Sequence, residues 1–179
     1  MIIGFSGKMQ AGKDTCGHYL ELSRGYSRVS FAEYLKKLAS LAGWTGRKDD
    51  QGRKFLQEFG MLVQENDQMF WVNKAFDKMK RMSRQGKTDF AFTDVRFPHE
   101  ANAIRELGGI IIRIDLVPGD SRLKGVPKKL LEHVSEVSMD DYPYFYGRIE
   151  SAKGNFNSLY DQLEGLIEAW RASGPAGVA

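Results

Sequence analysis

The segment Gly7-Lys-Met-Gln-Ala-Gly-Lys-Asp-Thr15 matches the spacing G-x-x-x-x-G-K as far as Lys13. Phosphate chemistry requires such a pattern. Glycines let successive backbone N–H groups turn inward around a phosphate chain, and a helix beginning at the lysine adds its positive N-terminal end. Gly7, Lys8, Ala11, Gly12 and Lys13 are therefore the expected contacts to ATP, with Lys13 reaching the β- and γ-phosphates. A side-chain oxygen from the helix start would face Mg²⁺. The general motif has Ser or Thr directly after the lysine, whereas this chain has Asp14 and then Thr15, so both are candidate metal ligands. The plainer explanation is a glycine turn that happens to end in Gly-Lys. Position argues against it, because an apolar run from Met1 to Phe5 leads into the segment and a helical pattern follows it.

Asp94 and Arg96 follow a short apolar run at the edge where open α/β sheets bind ligands. Asp94 could hold Mg²⁺ through its waters, and Arg96 could present a planar fork to an acceptor's phosphate. A strand-end Asp–Arg pair that only fixes a loop is the bland alternative. Arg47, Arg53 and Trp71 are further acceptor candidates, although exposed arginines are common and Trp71 has the spacing of a core residue. His133 and Glu136 are candidates too; taken alone, His133 reads as a hydrogen-bonded structural histidine. His18 and His99 lack ligand spacing, and a single cysteine, Cys16, excludes both an intrachain disulfide and a cysteine-based zinc site.

These residues must be positioned by alternating strands and helices. Met1–Phe5, Tyr26–Ser30, Asp89–Asp94, Ile110–Leu116 and Phe145–Glu150 read as strands. Helices are expected from Gly12 to Leu22, from a Ser30/Glu33 capping box onward, around Phe55–Val63, over Phe70–Ser83, from Pro98 to Leu107, and over Phe156–Arg171. Gly43–Gly52 and the basic Val117–Lys129 read as loops. This order argues for an α/β fold, with a parallel sheet of about five strands and helices on both faces. The helical stretch between the second and third strands is too long for a crossover and reads as an insertion forming a second wall over the site. The expected organisation is a single domain: core 1–30 and 87–172, insertion about 31–86, and a small-residue end, 173–179, that frays.

The phosphate segment, with its Lys-Asp-Thr form, resembles the phage deoxynucleoside monophosphate kinases. So do Phe55-Leu-Gln-Glu-Phe-Gly60 followed by Phe70-Trp-Val72, Thr93-Asp-Val-Arg-Phe-Pro-His-Glu-Ala101 with Ile104–Gly109, and His133-Val-Ser-Glu136. Together they cover most of residues 2–170. The resemblance implies a three-layer P-loop NTPase fold of the nucleoside monophosphate kinase type, ATP and Mg²⁺ as donor, and a deoxynucleotide as acceptor. The insertion would bind the acceptor. Residues 117–129 resemble the lid of nucleotide kinases, with Arg122, Lys124, Lys128 and Lys129 supplying cations. Lys13, Arg96, Arg122, Lys124 and Lys128 would then be the catalytic set, since phosphoryl transfer needs mostly positioning and charge stabilisation.

Two other functions fit less well. Animal-type phosphomevalonate kinases resemble the chain in Ser6-Gly-Lys8 and Gly12-Lys-Asp14, but not in Asp94-Val-Arg-Phe-Pro98 or His133-Val-Ser-Glu136. A nucleotide-binding switch would want Asn-Lys-x-Asp after a strand, and Asn73-Lys74 instead precedes Ala75-Phe76 inside a helix. Across 179 residues, a net charge of +3 suits anionic small molecules and falls short of a nucleic-acid footprint. Met1–Phe5 is too short for a signal peptide, and no apolar run approaches a membrane span, so the expected location is the cytoplasm, and the host's for a phage-encoded enzyme. The expected partners are nucleotides, with a homodimer left open.

Overall fold

The computed structural model describes residues 1–47 and 49–174. The expected frayed end therefore lies, from 175 on, outside the described residues. The chain runs β1 (Ile2–Ser6), α1 (Lys13–Arg24), β2 (Ser27–Val29), α2 (Ala32–Leu41), α3 (Asp50–Asn66), α4 (Phe70–Arg84), β3 (Phe90–Val95), α5 (Pro98–Glu106) and β4 (Ile110–Leu116). After β4 come a 3₁₀ turn (Ser121–Leu123), α6 (Lys128–Leu131), α7 (Val134–Val137), β5 (Gly147–Ser151) and α8 (Phe156–Ser173).

The five strands form one parallel sheet in the order β2-β3-β1-β4-β5. Side chains alternate across a strand, so each strand feeds two cores. On β4, Ile111 joins Phe92, Trp71, Val72 and Ile104 on one face. Ile110, Ile112 and Ile114 join Ile3, Phe5, Leu20 and Leu163 on the other. Helices α2, α4 and α5 cover the first face, and α1 and α8 the second, which gives three layers. β1 lies at the centre, between β3 and β4, so the loop leaving its carboxyl end sits where the strand order reverses.

Several local expectations are corrected. Ser30 and Glu33 do not form a capping box: the Ser30 hydroxyl donates to Asp94 at 2.6 Å, and Glu33 pairs with Lys78 instead. Gly43–Gly52 is not wholly loop, because Asp49 accepts from Gly52 N at 2.8 Å and opens α3 there. Residues 117–129 contain the 3₁₀ turn and the start of α6. The last strand begins at Gly147, two places later than the apolar run suggests, and extends to Ser151.

Candidate active site

The phosphate segment is folded as a loop between β1 and α1. Gly7 has φ 151°, and a Cβ there would lie 2.4 Å from the Ile114 carbonyl oxygen, so no other residue fits. Gln10 and Gly12 also have positive φ, 62° and 106°. Turns of this kind let backbone N–H groups face a bound anion; here Met9 N donates to Glu136 at 2.7 Å and Ala11 N to the Lys8 carbonyl at 3.2 Å. Lys13 folds back across it, donating to the carbonyls of Gly7 at 2.6 Å and Lys8 at 2.7 Å. Burial, and next the positive charge of Arg96, push the Lys13 ammonium down to about 7. Asp14 and Thr15 sit on the first turn of α1 and line the cleft in front of Lys13. Neither side chain has a hydrogen-bond partner among the described residues.

That cleft encloses about 560 Å³ between the carboxyl edge of the sheet and the α2–α4 insertion. Arg96 enters it from the β3–α5 turn. Its Nη1 donates to the Ser135 carbonyl at 3.2 Å and is ion-paired with Glu136, while Nε and Nη2 have no protein partner among the described residues. The Arg96 side chain is 31 % exposed to the cleft. Burial disfavours its charge, but the carboxylates of Glu136, Asp94 and Glu100 together outweigh that and move its pKa up. Glu136 itself is 1 % exposed and lines the cleft, and its second oxygen accepts from Met9 N at 2.7 Å, which ties it to the phosphate loop.

Asp94, the residue expected to hold a metal through its waters, is engaged by three protein donors. Its carboxylate accepts from Ser30 Oγ at 2.6 Å, Phe31 N at 2.9 Å and Ala32 N at 2.9 Å, so it satisfies orphan N–H groups at the start of α2. It lines the cleft, with one oxygen doubly engaged and the other singly. Glu100, which no motif singled out, is a buried acid at this edge. It accepts from Arg96 N at 2.7 Å and Phe97 N at 3.1 Å and fixes the turn that aims Arg96. Burial raises its pKa to about 8. A glutamate at the third position of a helix opened by Pro98 is a sequence signal that could have found it.

The insertion contributes an apolar wall with amides and cations. Phe31, Leu35, Leu56 and Met61 line it with Gln57 and Gln64, and Lys36, Arg47 and Arg53 also reach the cleft. Trp71 is both wall and core: it is 3 % exposed and donates its indole N–H to the Gly60 carbonyl at 3.1 Å.

The basic loop departs most from expectation. Arg122 donates Nε and Nη2 to Asp120, Nη1 to Gln10 O and Ser151 Oγ, and Nη2 again to Ser151 O. A guanidinium has only these five N–H groups, so none is left for a transferring phosphate. Arg122 is a clamp joining the loop to the end of β5, and it holds the Asp120 carboxyl down at about 2. Lys124, Lys128 and Lys129 are exposed and do not line the cleft, and Lys128 pairs with Glu132 at 3.4 Å. Lys8 turns its ammonium away, to the Glu136 carbonyl at 2.9 Å and to Asp140. Ala11 is buried behind the loop. His133 also lies outside the cleft: its Nδ1 accepts from Ser135 N at 3.2 Å, capping α7, and its structural reading is the one that fits.

Over 97 % of its length the chain superposes on shikimate kinase from Aquifex aeolicus, covering 100 % of that protein, at a TM-score of 0.57 and 15 % identity. The same share of the chain superposes on 98 % of dephospho-CoA kinase from Campylobacter jejuni, at 0.52 and 12 %. The fold is that of the small P-loop kinases. At these identities the likeness concerns this P-loop kinase fold alone. No family model matches the chain. In sequence it is 31 % identical over 141 residues to uncharacterized protein ORF77 of Ictalurid herpesvirus 1 (strain Auburn), a match covering 78 % of this chain and 59 % of that protein's length. Among the described residues no helix is long and apolar enough to cross a membrane.

Proposed function

We propose that the protein is an ATP-dependent kinase that transfers the γ-phosphate to a deoxynucleoside monophosphate. The observation that carries this reading is the presence of Lys13 and Arg96 on one cleft, with the Nε and Nη2 edge of Arg96 without a protein partner among the described residues. Lys13 and the N–H groups of the loop suit the β- and γ-phosphates of the donor. The free edge of Arg96 suits the acceptor's phosphate, which a planar fork grips in one orientation. The apolar wall with Gln57 and Gln64 suits a flat heterocycle with polar edges. Held so, an acceptor phosphate oxygen attacks the γ-phosphorus as the bond to the β,γ-bridging oxygen breaks, and ADP leaves with that electron pair.

Thr15 and Asp14 fit Mg²⁺, because they offer hard oxygen atoms without other protein partners beside Lys13. Among the described residues no cluster of three acidic, histidine or cysteine side chains makes a ready cage. That agrees with a metal held mainly by water and phosphate. Bound there, Mg²⁺ would neutralise charge on the triphosphate.

The test is a panel of ribo- and deoxyribonucleoside monophosphates with ATP and Mg²⁺, scored for diphosphate product. Turnover of one or more deoxynucleotides supports the reading, and Arg96→Lys should then raise the acceptor KM at least about tenfold, since an ammonium cannot reproduce the fork. Absence of any diphosphate would defeat it. The cations Lys36, Arg47 and Arg53 favour a second reading, an acceptor with a further anionic group such as a phosphorylated carboxylic acid. Adding phosphomevalonate to the panel separates the two.

A further inference from the structure

Residues 133–140 lie across both halves of the phosphate site and are bonded to each. On the loop side, Lys8 Nζ donates to the Glu136 carbonyl at 2.9 Å and to Asp140. On the other, Ser138 Oγ donates to the Arg96 carbonyl at 2.6 Å and Arg96 Nη1 to the Ser135 carbonyl at 3.2 Å. Between them, Glu136 divides its carboxylate: Oε2 accepts from Met9 N at 2.7 Å, and Oε1 pairs with Arg96 Nη1. A carboxylate that is 1 % exposed depends on both partners, because removing one leaves a buried charge uncompensated. Glu136 is also the anion between two cations, since the charge of Arg96 disfavours that of Lys13 and the charge of Glu136 favours it.

We infer that Glu136 is a positioning residue that couples the phosphate loop to Arg96, so that nucleotide affinity at the loop depends on the presence of a cation at position 96, outside it. The inference rests on the phosphate-loop part of the proposed function and not on the identity of the acceptor. With the cation at 96 removed by substitution, Glu136 loses its ion-pair partner and keeps only the Met9 N–H and the charge of Lys13. It then either stays on the Met9 N–H and repels the nucleotide, or withdraws and releases the loop. Both weaken binding. With glutamine at 136, an amide oxygen still accepts from Met9 N and no charge remains to balance, so losing Arg96 has little consequence at the loop.

The experiment is a double-mutant cycle on the affinity for MgADP, which occupies the loop without an acceptor group. Wild type, Arg96→Gln, Glu136→Gln and the double variant are titrated by calorimetry, with folding checked by thermal melting. Arg96→Gln should weaken MgADP about tenfold in the wild-type background and less than about twofold in the Glu136→Gln background. Equal effects in both backgrounds, including none in either, would overturn the inference. Arg96→Lys keeps the ion pair and should stay within about twofold of wild type. A tenfold loss in that variant would also overturn it, and this arm holds even if Arg96→Gln fails to fold. A wild-type protein that does not bind MgADP sinks the phosphate-loop reading and the inference together. A panel in which no monophosphate is accepted leaves the cycle untouched.

Discussion

Lys13 illustrates how burial sets chemistry at a single side chain. Its ammonium is held near a pKa of about 7, far below the ordinary 10.5, by burial first and by Arg96 next. The unfolded chain therefore binds the extra proton between those two values, and this group's contribution to stability rises with pH across that window. A triphosphate reverses the balance, because its anionic oxygens favour the charged lysine. At pH 8 ATP binding should take up a proton, measured as a dependence of the calorimetric heat on the buffer's ionisation enthalpy. Lys13→Ala should abolish this dependence. Identical heats in two buffers for the wild type would contradict it. Asp14 allows a second test at this scale. If it helps to hold the metal, Asp14→Asn should raise the Mg²⁺ needed for half-maximal rate several-fold with little change in melting temperature. Were Asp14 only a charge at the positive end of α1, worth about 0.3–1 kcal/mol, the titration would not move.

At the scale of elements, two acids hold the edge of the sheet, Asp94 half-buried and Glu100 buried. Asp94 binds the start of α2 to the end of β3, and Glu100 binds the β3–α5 turn that carries Arg96. Asp94→Ala removes three acceptor contacts from backbone and hydroxyl groups, so we expect a loss of about 2 kcal/mol by denaturant titration. A loss below about 0.5 kcal/mol would show that α2 does not depend on it. Glu100 makes a pH-dependent prediction. Its pKa rises from 4.5 to about 8 on folding, so its contribution to stability is complete below 4.5 and is lost progressively up to about 8. Glutamine at 100 can accept from the same N–H groups without that slope. Relative to wild type, Glu100→Gln should gain stability as pH rises from 4.5 to 8, and a constant difference across that range would count against a raised pKa. The structural role of Asp94 was not legible, because its partners lie at Ser30, Phe31 and Ala32, far away in sequence, whereas the partners of Glu100 are local. Ser30 and Glu33 have the spacing of a local cap, but a remote carboxylate supplies the oxygen.

Across the whole molecule, what could be read from the sequence was what is encoded locally. β4 was found to the residue, Ile110–Leu116, because a β-branched run between Gly108-Gly109 and the turn residues Pro118-Gly119 can be little else. α4 and α8 followed from helical periodicity, and the phosphate loop from the glycine spacing that its φ angles demand. Roles that depend on tertiary partners escaped. Arg122 lies in a basic stretch and looked like a free cation, but Gln10 and Ser151, remote in sequence, close around it. α6 and α7 are four residues each, too short for any period to register. The positions of Lys13, Asp14, Thr15 and Arg96 on one cleft support a machine that moves phosphate between two bound molecules, in contrast to one that gives it to water. The most direct measurement follows the label from γ-³²P-ATP in the presence of Mg²⁺ and a deoxynucleoside monophosphate. The label should appear in the deoxynucleoside diphosphate, with little inorganic phosphate released and none transferred by Lys13→Ala. Label released as inorganic phosphate at the same rate with and without the monophosphate would contradict the account.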